Sequence, residues 1–162
     1  MLSSDLTSVE VLGLAISQEV MAHKRYKLFA SRVKNPLVKE KFLSLAREEM
    51  AHRKMLYSLL QQYTGEAKPP LPKKAPRLDM DAEVNRPLPE ILKLAIEKER
   101  EARVFYRDAA NKASDPTGKR ILLYLAQFEE GHERTLRIEL EEIFKDPEWF
   151  ELDGSDFQPS GQ

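Results

Sequence analysis

The sequence predicts an all-α protein in which four long helices pack as a bundle. Apolar residues recur at helical spacing over most of the chain, and clusters of proline and glycine separate the resulting segments. The stretch 45–52 recurs eighty residues later as 125–132, with Leu, Ala, Glu and His in the same four places. We therefore interpret the chain as two copies of one helical hairpin, related by a pseudo-twofold axis.

Composition limits the classes of protein that fit. The 162 residues suffice for one domain with its own core, and 41% hydrophobic with 33% charged residues is typical of a globular chain. A net charge of −1 argues against nucleic acid as the main partner. The absence of Cys excludes disulfides, thiolate metal sites and cysteine catalysis. With neither a signal-like start nor a long apolar run, we expect a cytoplasmic protein without membrane contact.

The first predicted hairpin comprises helices at about 7–34 and 36–63. Thr7 and Glu10 have the spacing of a capping box at the start of the first helix. Asn35 and Pro36 suit the N-cap and first position of the second helix, and Gly65 suits its C-terminal end.

The second predicted hairpin comprises helices at about 89–113 and 116–145, where Asp115 repeats the capping role of Asn35. Five prolines lie in the intervening linker, 64–88, which could reach roughly 70 Å when extended. It is therefore long enough to cross over the length of a bundle. We assign residues 1–145 to the bundle and 146–162 to a C-terminal tail whose aromatic residues pack over a bundle end or a neighbouring subunit.

Each half of the chain places a Glu on one helix and a Glu-x-x-His motif on the next. Residues three apart on a helix share a face, so Glu49 points with His52 and Glu129 with His132. Glu19 precedes the turn at Asn35 by about 24 Å of helix, and Glu49 follows it by about 20 Å. Antiparallel packing therefore brings these two carboxylates to nearly the same height, and the repeat does the same for the second half.

Convergence of these groups in the core predicts a metal site. The candidate ligands are Glu19, Glu49, His52, Glu99, Glu129 and His132. Four ionised carboxylates would repel one another strongly in a dry interior. Two divalent cations would cancel their charge, and the mixed oxygen and nitrogen donors suit first-row metals.

The motifs resemble those of the rubrerythrin group of ferritin-like di-iron carboxylate proteins. The stretch 19–30, Glu-Val-Met-Ala-His-Lys-Arg-Tyr-x-x-Phe-Ala, is similar to the first-helix signature of that group, and 99–106 is similar to the third-helix signature. The resemblance covers residues 8 to 145. It implies a ferritin-like four-helix bundle with one long crossover and two iron ions, although the same ligands accept manganese or zinc.

The resemblance also implies a role for each site residue. Glu49 and Glu129 would bridge the two metals, while Glu19 and Glu99 would be terminal carboxylates.

Each metal would take one imidazole, from His52 or His132. Tyr26 and Tyr106 would donate hydrogen bonds to ligand carboxylates.

The chain departs from the group in two places. Rubrerythrins carry a rubredoxin domain with Cys-bound iron, and this sequence has no Cys. Many also carry an extra carboxylate one turn after the third-helix Glu, where this chain has Ala102. Electrons would accordingly arrive from a separate donor protein.

Several polar residues near the motifs lack a matching residue in the other half, so we expect them to lie outside the metal ligands. They are His23, Glu48, Glu97, Glu101 and Glu130.

Three functions fit these residues. The first is a non-haem di-iron oxidoreductase that reduces hydrogen peroxide or dioxygen and so protects against oxidative stress. The second is a ferroxidase or iron-handling protein without sustained turnover. The third is a metal-free interaction bundle. The long linker would permit exchange of hairpins between chains, and we expect a homodimer.

Overall fold

The computed structural model describes residues 8–69, 86–153 and 155, which form four long helices without a strand. These are α1, Ser8–Arg32; α2, Pro36–Thr64; α3, Leu88–Lys112; and α4, Pro116–Lys145. A short 3₁₀ helix, Pro147–Glu151, follows α4. The fold is the predicted all-α, ferritin-like four-helix bundle.

Capping side chains define where the second helix of each hairpin begins. Asn35 Oδ1 accepts hydrogen bonds from the backbone N–H groups of Leu37 and Val38, at 2.9 and 3.4 Å. Asp115 accepts one from Gly118 N–H at 2.7 Å. Both residues therefore act as the predicted N-caps, which satisfy backbone donors left without partners at a helix start.

The ends of the first helix of each hairpin differ slightly from the predicted bounds. α1 ends at Arg32, two residues before the predicted end, and α3 ends at Lys112, where Ala113 is extended. A proline disfavours helical backbone in the residue before it, so α1 ends early ahead of Pro36 and α3 ends early ahead of Pro116. Thr7, the predicted cap of α1, lies outside the described residues.

The apolar core forms two clusters, one at each end of the bundle, with a polar centre between them. Along α1, Leu12 and Ile16 belong to one cluster and Phe29 and Val33 to the other, while Glu19 lies between them. Burial of these side chains accounts for the helix packing, at about 1.5–3 kcal/mol for each large one.

The pseudo-twofold repeat exchanges the two clusters. Leu12 of α1 belongs to the cluster opposite that of its repeat mate, Leu92 of α3, so these helices run antiparallel. Leu59, near the end of α2, and Ile91, at the start of α3, likewise lie in opposite clusters. The end of α2 and the start of α3 therefore lie at opposite ends of the bundle, as the predicted crossover requires, and residues 70–85 between them lie outside the described part.

The start of the C-terminal tail covers one end of the bundle. Phe150 is buried in the cluster that contains Phe42, and Trp149 packs against the same cluster. Asn35 Nδ2 donates a hydrogen bond to the Trp149 carbonyl at 2.7 Å, which joins the tail to the turn between α1 and α2. Among the described residues, no helix is both long and apolar enough to cross a bilayer.

Candidate metal centre

The structure brings all six candidate ligands together in the middle of the bundle. The side chains have exposed fractions between 0% and 3%. They are Glu19 on α1, Glu49 and His52 on α2, Glu99 on α3, and Glu129 and His132 on α4. The one-turn spacing in each Glu-x-x-His motif points both side chains inward, and antiparallel packing brings the four helices to a common height.

The six residues form two overlapping groups of four. Glu19 and His52 complete one group, and Glu99 and His132 complete the other, while Glu49 and Glu129 belong to both.

In each group the ligand atoms lie within 4.8 Å of one another, so each group can hold one metal ion. The shared pair suits the two bridging positions that the resemblance implied.

Both histidines turn Nδ1 toward the carboxylates. His52 Nδ1 lies 3.3 Å from Glu49 Oε2 and 3.4 Å from Glu19 Oε2. His132 Nδ1 lies 2.9 Å from Glu49 Oε1 and 3.5 Å from Glu129 Oε2. The imidazole rings are stacked, with centroids 5.8 Å apart. Each half of the centre therefore offers one nitrogen donor and several oxygen donors.

The two predicted tyrosines contact ligand carboxylates, and they do so between hairpins. Tyr26 OH donates to Glu99 Oε1, and Tyr106 OH donates to Glu19 Oε1. Burial, together with the neighbouring carboxylates, raises the pKa of both phenols well above the usual value, so they stay protonated donors. Each hairpin thus orients the terminal carboxylate of the other.

Burial also changes the protonation of the shared carboxylates. Loss of water raises the pKa of Glu49 and of Glu129 well above the usual value, and each is raised further by a neighbouring carboxylate. For Glu99, burial is outweighed by contacts with Glu129 and His132, which lower its pKa. Hydrogen bonds with carboxylates likewise outweigh burial at His132 and raise its pKa. Without metal, protons therefore balance part of the negative charge.

The donor set fits a pair of metal ions. Glu19 Oε2, Glu49 Oε1, Glu129 Oε1 and His132 Nδ1 are buried without a hydrogen-bond partner. His132 Nδ1 and Glu49 Oε1 lie 2.9 Å apart but are not aligned as a hydrogen bond. Buried polar atoms normally have partners, and atoms converging on a common point without them suit metal coordination.

The polar residues expected outside the ligand set do lie outside both groups. His23 Nδ1 lies 2.8 Å from the Ala46 carbonyl and links α1 to α2. Glu97 and Glu101 are exposed and form ion pairs with Arg100 and Lys98.

Glu130 pairs with Arg107 on the surface. Glu48 also lies outside the groups, but its Oε2 is 2.8 Å from His132 Nε2.

Two buried charged residues were not found from the sequence. Glu139 of α4 is buried, and one of its oxygens pairs with Lys41 Nζ at 2.5 Å. Its repeat mate is Leu59, so the comparison of halves predicted an apolar position. Arg25 is buried and its mate is Phe105, which gave no signal either.

A cavity connects the surface between α1 and α3 with the centre. Its volume is about 200 Å³, and its floor includes the four ligand carboxylates. Ala22 and Ala102, which are repeat mates, both line it, together with Gln18 and Met21. A water molecule needs about 10–15 Å³ measured this way, so the cavity has room for several water-sized molecules beside the four carboxylates.

Comparison with known proteins identifies the relationship. The family model described as rubrerythrin matches residues 10–149. A hypothetical protein from Pyrococcus furiosus is similar at 29% identity, covering 88% of this chain and 93% of the other, with a TM-score of 0.74. An uncharacterized conserved protein from Magnetospirillum magnetotacticum has 25% identity, coverage of 85% and 95%, and a TM-score of 0.64.

Bacterioferritin from Rhodobacter capsulatus shares the fold. It has 22% identity, coverage of 99% of both chains and a TM-score of 0.75, and its structure is described as having a metal-free dinuclear site and haem iron. A comparison with curated protein sequences finds no match.

Proposed function

This chain belongs to the rubrerythrin family, membership of which implies a di-iron site, and we propose that it is a non-haem di-iron oxidoreductase. In this proposal it reduces hydrogen peroxide or dioxygen with electrons from an external donor protein. The observation that carries the proposal is the pair of four-residue groups that share Glu49 and Glu129 in the buried centre of the bundle.

The residues divide the work of holding two metal ions. Glu49 and Glu129 would bridge them, while Glu19 with His52 and Glu99 with His132 would complete the two positions. Four carboxylates balance the charge of two divalent ions. Bound iron would supply the one-electron steps that the protein's own side chains lack.

The surrounding residues supply orientation, access and separation from water. The hydroxyls of Tyr26 and Tyr106 fix the terminal carboxylates, and the cavity between α1 and α3 admits the oxidant. The apolar clusters on either side keep bulk water from the ligands.

Reduction of hydrogen peroxide to two water molecules consumes two electrons, which the external donor would provide, and two protons, which solvent in the cavity would provide. The protons that Glu49 and Glu129 hold without metal are released earlier, as metal binds. No cysteine within these 162 residues can hold a rubredoxin-type iron, so the proposal includes a separate electron donor.

Rapid mixing tests the proposal. We expect the iron-loaded, reduced protein to be oxidised quickly by peroxide or dioxygen and to turn over repeatedly when a reductant is present. Glu99→Gln should abolish repeated turnover, because it removes a ligand charge at unchanged volume.

Glu97→Gln is the matched control, since Glu97 lies on the same helix with its side chain 53% exposed. A single slow oxidation with retained iron would contradict the enzyme and favour an iron-handling protein. The expected homodimer is likewise part of the proposal, and molecular mass measured in solution tests it.

A further inference from the structure

The two halves of the metal centre differ in the residue behind each histidine. Glu48 Oε2 lies 2.8 Å from His132 Nε2, on the side of the ring that faces away from the centre. The repeat mate of Glu48 is Phe128. Phe128 packs edge-on against His52, with ring centroids 4.9 Å apart and an interplanar angle of 79°. His132 therefore contacts the Glu48 carboxylate through Nε2, whereas His52 packs closely against Phe128, whose ring is farther from His132, at a centroid distance of 6.4 Å.

This difference changes the hydrogen bonding of the histidines. The carboxylate of Glu48 can only accept, so His132 donates a proton from Nε2 to it, and with a metal bound Nδ1 would supply the lone pair that faces the centre. The part of the chain that the structure describes gives His52 Nε2 no hydrogen-bond partner.

We propose that Glu48 is a positioning residue for His132 and that it makes the two metal positions unequal. The position formed by Glu99 and His132 binds a divalent cation more tightly than the position formed by Glu19 and His52, and it fills first. The inference rests on the metal-binding part of the proposed function and is independent of which oxidant is reduced.

Three physical effects favour the His132 position. A carboxylate that accepts the outer N–H makes the imidazole a better electron donor to a metal and fixes the orientation of its ring. Glu48 also places a negative charge in direct contact with His132, and its side chain is 41% exposed, so keeping that charge requires little desolvation. Phe128 supplies neither a charge nor an acceptor. Loss of such an outer carboxylate lowers metal affinity by about 10–100-fold.

Single-position variants separate the two affinities. His52→Ala leaves the His132 position, and His132→Ala leaves the His52 position. Titration of each metal-free variant with Co²⁺, followed by visible absorption and calorimetry, reports affinity and coordination without any turnover. We expect the variant that retains His132 to bind Co²⁺ about 10-fold or more tightly than the variant that retains His52.

Adding Glu48→Gln to both backgrounds shows whether Glu48 acts through His132. We expect a loss of about 10-fold or more where His132 is present, and no change in the His132→Ala background. The amide keeps an acceptor of the same size, and far-ultraviolet circular dichroism monitors the fold. Phe128→Glu is the reciprocal variant and should raise the affinity of the His52 position.

Three results would overturn the inference. Equal affinities of the two single-position variants would exclude unequal positions. An equal loss from Glu48→Gln in both backgrounds would show that Glu48 acts through overall charge instead of through His132. If none of these proteins bound Co²⁺, the metal-binding proposal would fail together with the inference. Failure of peroxide turnover alone would leave the inference standing.

Discussion

Replacement of the candidate ligand Glu49 by Gln should stabilise the metal-free protein, increasingly so as pH rises. Burial raises the pKa of Glu49 well above its usual value of 4.5. The folded protein therefore holds this proton at pH values where the unfolded chain has released it. The stabilisation is complete below the unfolded-state pKa and is lost as pH rises through the folded-state pKa.

The size of the effect follows from proton linkage. Between the two pKa values, wild-type protein loses about 1.4 kcal/mol of unfolding free energy per pH unit through this carboxyl group. Glutamine has the same shape and no proton to lose, so Glu49→Gln escapes the loss. Removal of the Glu49 charge also lowers the repulsion that raises the pKa of Glu129, which adds to the stabilisation of the metal-free variant. With metal present the order should reverse, because a bridging ligand charge has been removed.

Urea denaturation of metal-free protein between about pH 5 and about pH 7 measures this difference. Unfolding free energies of wild type and Glu49→Gln should diverge as pH rises, while Glu97→Gln, an exposed control on α3, should run parallel to wild type. Parallel curves for all three proteins would refute the reasoning about protonated carboxylates in the core.

Four further substitutions test three separate parts of the structure. Tyr26→Phe and Tyr106→Phe each remove one hydrogen bond to a terminal carboxylate and should each lower metal affinity by about 10–100-fold, measured by metal titration; unchanged affinity would contradict the role of the phenols. Asn35→Ala removes the cap of α2 and its bond to Trp149, and should lower the unfolding free energy by about 1–2 kcal/mol in urea. Gly131→Ala should raise it by about 1 kcal/mol, because the added methyl meets no atom within 4 Å and alanine favours helix; a loss of stability would show that the glycine is required.

Internal repetition explains why so much of the centre could be predicted. A glutamate on a helix is common, but Glu49 and Glu129 are each followed by a histidine three residues later, and the two motifs are eighty residues apart. Because both copies must bury the same face, repetition distinguishes inward from outward residues without structural information. The family relationship and the bundle followed from the same evidence and are confirmed.

What the sequence did not reveal depends on contacts between the hairpins or on places where the repeat is broken. The pairing of Tyr26 with Glu99 depends on how the two hairpins pack, and residue spacing within one hairpin does not predict it. Glu48 and its repeat mate Phe128 differ in type, so comparison of the two halves placed Glu48 outside the metal ligands and gave no signal for its contact with His132. Glu139 was missed for the same reason, since its mate is apolar. A residue whose repeat mate differs in type cannot be recognised by comparing the two halves, even where that residue contacts the site.

Metal stoichiometry tests the central claim most directly. Protein loaded anaerobically with Fe²⁺, freed of loose metal and analysed for its elements should hold two ions per chain, as two groups of four ligands require. The value should fall to at most one when Glu49 or Glu129 is replaced by Gln, because both groups share these carboxylates. Absence of bound metal in the wild type, or two ions that persist in both variants, would contradict a shared, buried two-metal centre.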